Sequence, residues 1–201
     1  MTRASLAAIG LALALLSPPL AAKPEIGRPA PAFSVTDTSG KVWTLADVAG
    51  RGVILEWTNH DCPYVRKHYG SGNMQALQKE ARDAGYKWLS VISSAPGKQG
   101  HVTPAQADEL MASRGASPTA VLLDEDGTMG RAYGAQTTPH LFVIDGSGTL
   151  VYMGGIDDRA TTDPADVDGA KNYVRLAMAE LAGGKSVSNP VTRPYGCSVK
   201  Y

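Results

Sequence analysis

Cysteine is scarce in this chain: there are two in 201 residues, Cys62 and Cys197. Pro63, Tyr64 and Val65 follow Cys62, which excludes a Cys-x-x-Cys dithiol motif. Two cysteines leave a single possible intramolecular pairing. An excess of charge of either sign is also missing, because Lys+Arg and Asp+Glu both number 19. That balance gives no electrostatic footprint for nucleic acid or for an anionic membrane surface. The apolar run Leu6 to Leu16 is about 11 residues, well short of the roughly 20 needed to cross a bilayer, so a membrane-spanning chain is not expected. No internal repeat, low-complexity block or second domain is visible. The acidic stretch "IDDRATTDPADVD" lacks the glycine-and-glutamate spacing of a calcium loop and reads as a loop and helix cap. No cofactor is expected.

What is present begins with a leader. Arg3 supplies a positive start, Leu6 to Leu16 the apolar stretch, Ser17-Pro18-Pro19 a break, and Ala21-Ala22 a small-residue cleavage site. Residues 1–22 therefore read as a secretory signal peptide, and the chain as periplasmic or secreted. No cysteine follows the apolar stretch to carry a lipid. An oxidising compartment permits Cys62 and Cys197 to pair. With 43% apolar residues, the rest suits one compact domain over 23–184, followed by a tail, 185–201, that carries Cys197.

Along the domain, Phe33 to Thr44 reads as a hairpin turning at Ser39-Gly40. Val53 to Thr58 is a continuous apolar run fit for a strand buried on both faces. Helical spacing runs from Pro63 to about Ala84, weakened at Gly70-Ser71-Gly72, and Trp88 to Ile92 is the next strand. Thr103 caps a helix with Pro104 at its first position, ending near Gly115. Ala120 to Leu123, His140 to Ile144 and Thr149 to Met153 read as strands, and a last helix spans about Asp166 to Ala182. The order implies an α/β fold with helices on both faces of a mixed sheet. The tail has no periodicity.

These stretches resemble the thioredoxin superfamily, and within it the redoxin or peroxiredoxin-like branch. "IGRPAPAFSVTDTSGKVWTL" is similar to the redoxin opening, "VILEWTNHDCPYV" to the strand-to-helix active-site segment, and "TTPHLFVIDGSGTLVYMGG" to the cis-proline segment. "TRPYGCSVKY" resembles the closing segment of exported peroxiredoxin-like proteins whose tail carries Gly-Cys. The resemblance implies a thioredoxin-like three-layer α/β/α fold with an N-terminal β-hairpin. It also implies a cis Thr138–Pro139 bond beside the nucleophile. Typical peroxiredoxins place proline and threonine where this chain has Leu55 and Asn59, so peroxide chemistry does not carry over unmodified.

A thiol attacks only as thiolate. Cys62 stands immediately before Pro63, at a predicted helix start, where unpaired N–H groups and the helix dipole favour negative charge. His60, Arg66 and His68 bring positive or proton-donating groups nearby in sequence, Asp61 opposes them, and His140 follows the cis-proline within possible reach. Arg131 and Arg66 are candidates to stabilise a thiolate or polarise a peroxide. Cys197 is the available partner, as a resolving thiol or as half of a structural staple. The site set is therefore Cys62, Cys197, Pro139, Thr138, Asn59, His60 and Arg131.

The leading expectation is an exported thiol oxidoreductase acting on a hydroperoxide or a protein disulfide, re-reduced by a thioredoxin-like partner. One alternative is a copper carrier using Cys62, Cys197 and His140 or His60, because thiolate and imidazole suit copper. Another is a binding module with a permanent Cys62–Cys197 disulfide.

Overall fold

The protein is described by a computed structural model over residues 23–48 and 50–201. The signal peptide expected over residues 1–22 lies outside the described residues. At the centre stands β3 (Gly52–Trp57), every residue of which is buried. It pairs in parallel with β4 (Lys87–Ile92), which pairs in parallel with β5 (Ala120–Leu123). On its other side β3 runs antiparallel to β7 (His140–Asp145), and β7 to β8 (Leu150–Gly154). The five-stranded sheet is therefore mixed, with the order β5-β4-β3-β7-β8.

The apolar residues of β3, interrupted only by Glu56, are sorted by the two-residue period of a strand. Val53, Leu55 and Trp57 join Leu89, Val91, Phe142 and Ile144 in one cluster. Ile54 enters the opposite cluster with Trp88, Leu141, Val143 and Tyr152. The first face is covered by the hairpin β1 (Ser34–Thr36) and β2 (Val42–Thr44), through Val35 and Trp43, and by the short helix α4 (Thr128–Tyr133), through Met129 and Tyr133. The second face is covered by α1 (Pro63–Gly70), α2 (Asn73–Asp83) and α5 (Tyr173–Ala182). Helix α3 (Pro104–Ser113) packs by the β5 edge, its first turn closed by a reciprocal Thr103–Gln106 capping box.

Three expectations change. The helix foreseen from Pro63 to Ala84 is two helices, because Gly72 takes φ 75 and resets the chain before Asn73. The last helix does not begin at Asp166. A 3-10 turn (Pro164–Val167) capped by Asp163 comes first, the chain then bends at Gly169, whose φ is 72, and Asn172 caps α5 afresh. The tail, aperiodic in sequence, is docked. It runs beside β8 through Met153 N–H to Pro190 O (2.9 Å) and Thr192 N–H to Met153 O (3.1 Å). It then forms β9 (Cys197–Ser198) against β6 (Thr137–Thr138).

Candidate active site

The chain leaves β3 through Thr58 and turns at Asn59 into α1. The Asn59 Oδ1 accepts the Asp61 N–H at 2.9 Å, its Nδ2 donates to Gln99 O at 3.3 Å, and its carbonyl accepts the Cys62 N–H at 3.1 Å. That turn sets Cys62 at the N-cap of α1 with Pro63 in the first helical position. The Asn59 side chain rests on Gly100, where an added Cβ would lie 2.4 Å from Asn59 Cγ.

Cys62 is fully buried, and Cys197 is half-buried. Both are free thiols. The Thr138–Pro139 bond is cis, and Thr138 lies directly opposite Cys197 in the β6–β9 ladder. The Cys62 sulfur occupies a rung of that ladder: its thiol donates to Thr138 O at 3.0 Å, and it accepts the Cys197 N–H at 3.4 Å. The approach is made possible by Gly196, which has φ 134 and where a Cβ would sit 2.0 Å from Thr138 O.

Burial pushes the Cys62 thiol up, but contacts that favour its thiolate outweigh burial and hold it below the usual value. These come from the Cys197 thiol and N–H, the Val65 N–H and Thr138. Cys197 shifts the other way, to about 11, because of burial, donation to Cys62 and the charge of the Cys62 thiolate. The pair thus contains one sulfur suited to be thiolate and one suited to stay protonated.

The charged residues near Cys62 in sequence are engaged elsewhere. His60 sits 3.6 Å from Asp61, which also pairs with Arg66 at 3.0 Å, and burial lowers the His60 pKa. Arg131 is not brought to the sulfur: it donates to Asp126 O and its guanidinium stacks 4.6 Å over the Tyr201 ring. The His140 Nδ1 accepts the Gln136 N–H at 3.3 Å, its ring lies 4.4 Å from Phe142, and burial lowers its pKa to about 4. Neither His60 nor His140 joins the two sulfurs. Among the described residues no group of three or more His, Cys, Asp or Glu side chains could hold a metal ion.

Sequence reasoning missed the residues that hold the tail. Asn73 Nδ2 donates to His68 Nδ1 at 2.9 Å, so the other ring nitrogen of neutral His68 carries the proton and donates to Tyr195 Oη at 3.1 Å. The Tyr195 hydroxyl in turn donates to Asp157. Burial lowers the His68 pKa to about 3, which keeps this order of donors fixed. The one signal available was the position of Tyr195, two residues before Cys197.

A helix-capping cysteine facing a cis-proline on a mixed five-stranded sheet defines an oxidoreductase of thioredoxin-like fold. The AhpC/TSA family profile matches residues 26–153, and the chain belongs to that family. Its tail, with Cys197, lies outside the matched span. Over 131 residues the chain is 29% identical to the thiol-disulfide oxidoreductase ResA of Bacillus thuringiensis (strain Al Hakam), covering 59% of this chain and 76% of that one. An uncharacterized conserved protein from Geobacillus kaustophilus superposes with a TM-score of 0.76 at 24% identity, over 88% of this chain and 92% of that one. A thioredoxin-like protein from Aeropyrum pernix gives a TM-score of 0.51 at 20% identity, over 68% and 86%. Among the described residues no helix is long and apolar enough to cross a membrane.

Proposed function

We propose that Cys62 and Cys197 are one redox pair, cycling between dithiol and disulfide in exchange with protein thiols and disulfides outside the cytoplasm. The observation that carries this reading is the Cys197 N–H donated to the Cys62 sulfur at 3.4 Å, on the strand that sets Cys197 opposite Thr138. Oxidation requires only that the two sulfurs bond: two electrons pass to a substrate disulfide, which leaves as two thiols. The 29% identity to a thiol-disulfide oxidoreductase supports the same chemistry. Re-reduction falls to a dithiol partner of thioredoxin type. Residues 1–22 act as the signal that delivers the domain, 23–184, and its tail, 185–201, to an oxidising compartment, and intact mass of exported protein should start near Lys23.

The test is redox titration of the full chain with alkylation and mass analysis. Wild type should yield an intramolecular Cys62–Cys197 disulfide and reduce a model disulfide, and Cys62→Ser should do neither. Equal activity in wild type and Cys62→Ser sinks the reading. Hydroperoxide reduction is a second reading, favoured by the lowered pKa of Cys62 beside a thiol able to condense a sulfenic acid. Against a fast peroxidase, Leu55 is spent in the core and Asn59 on its turn. Hydrogen peroxide on reduced Cys197→Ser, with a sulfenic-acid trap, separates the two.

A further inference from the structure

Taking Cys62 and Cys197 as the redox pair, we infer that external thiolates enter the disulfide at the sulfur of Cys197, while Cys62 is the inner sulfur that leaves. A thiolate displaces one sulfur of a disulfide by attacking the other along the S–S axis, so the attacked sulfur must be reachable from the side away from its partner. Cys62 is fully buried in a cluster with Val65, Leu141, Tyr152 and Ile156. Its sulfur is further enclosed by Thr138 O at 3.0 Å and the Cys197 N–H at 3.4 Å. Attack on Cys62 would have to come from the packed side.

Cys197 is half-buried on the outer strand. Beside its neighbour Gly196 opens a cavity of about 570 Å³, lined also by Tyr64, Thr137 and Tyr195. Cys197 packs by one side against the cluster that buries Cys62, yet it stays partly exposed with the tail docked. The tail stays held beyond it by Val199 N–H to Gln136 O (3.0 Å), Ala95 N–H to Lys200 O (2.8 Å) and Tyr201 Oη–H to Ala135 O (2.8 Å).

Leaving-group chemistry agrees with access. The sulfur of lower pKa departs faster. When Cys62 leaves, the Cys197 and Val65 N–H groups still favour its thiolate even though the Cys197 sulfur is by then bonded to the incoming one, whereas as a free thiol Cys197 is pushed up to about 11. In the first step the incoming thiolate bonds to the Cys197 sulfur, the S–S bond breaks, and its electron pair stays on Cys62. In the second step another thiol of the reductant attacks the reductant sulfur of the mixed disulfide. The reductant leaves as a disulfide, and Cys197 takes a proton from water.

The test uses oxidised full-length wild type, whose Cys62–Cys197 disulfide is first verified by mass. It is exposed briefly to glutathione, quenched in acid, blocked with N-ethylmaleimide and mapped by peptide mass. Glutathione should sit on Cys197 and N-ethylmaleimide on Cys62, in an excess on the order of tenfold over the reverse product. Glutathione on Cys62, or an even split, overturns the assignment while leaving the redox pair intact. Failure to form the disulfide at all sinks the redox-pair reading before glutathione is added, and the assignment with it.

Discussion

Tyr195 and Asp157 are bonded through the tyrosine hydroxyl, and that bond ties the tail to the loop after β8 at a point two residues before Cys197. Tyr195 also receives the His68 N–H from α1, the helix that Cys62 caps. The two cysteines are thus held at one another by a network that touches neither sulfur.

Removing the hydroxyl tests that network. Tyr195→Phe leaves a buried donor on His68 and takes one donor from Asp157, which keeps the Arg159 N–H at 2.9 Å, a loss of about 1–3 kcal/mol in urea denaturation. Alkylation of Cys62 in the reduced protein should quicken as the tail loosens. Unchanged stability together with unchanged alkylation would show that the tyrosine is not the tether.

Acid should weaken the fold through its buried neutral histidines. The folded pKa values of His68 (about 3) and His140 (about 4) both lie below the ordinary histidine value of 6.5. Between those limits the unfolded chain binds protons that the folded chain refuses. The stability contributed by keeping these rings neutral is therefore present above pH 6.5 and is lost as pH falls toward 4 and 3. Denaturation midpoints measured from pH 7 downward should fall less steeply in His68→Gln than in wild type, even though its starting stability is lower.

Glu56 lies beneath the site, fully buried, accepting hydrogen bonds from Trp88 Nε1 (2.9 Å), Ser90 Oγ (2.8 Å) and Tyr69 Oη (2.9 Å). Burial raises its pKa despite those donors. Glu56→Ala strands all of them and opens a cavity, so a loss of more than about 3 kcal/mol is expected. Glu56→Gln keeps one acceptor oxygen and should cost less. Chemical denaturation of the two variants checks the order.

The Asn59 turn can be tested from the opposite side of the contact. Gly100→Ala drives a Cβ to 2.4 Å from Asn59 Cγ, at a φ of 88 that disfavours alanine. Gly97→Ala has a similar φ of 77 but nothing within 4 Å. Both should lose about 1–2 kcal/mol for the backbone. Only Gly100→Ala should also slow exchange at Cys62, read as the rate of disulfide formation with an added oxidant.

The parts legible in sequence are those in which each residue reports its own environment. The mostly apolar stretch of β3, with Glu56 its one charge, announced a strand buried on both faces, and Cys62-Pro63 announced a capped helix. The chain order of strands and helices then led to the sheet. Hidden were the elements defined by their partners: β6 and β9 are two residues each and exist only as a pair. Arg131 looked available because sequence does not reveal that Tyr201, 70 positions on, stacks against its guanidinium. The tail looked free because backbone bonds to Gln136, Met153 and Ala95 hold it, and these leave no periodic mark on side chains.

The cover over Cys62 arrives 135 residues after the cysteine itself. Contacts of such long separation close late in folding, and synthesis delivers the N-terminal part first. During maturation there is consequently an interval in which the sheet and α1 can exist without β9, with the sulfur open to oxidants and stray thiols that the finished protein keeps away from it. A proteolytic clip before Cys197 would remove the strand that covers the Cys62 sulfur, and with it the N–H that the sulfur accepts.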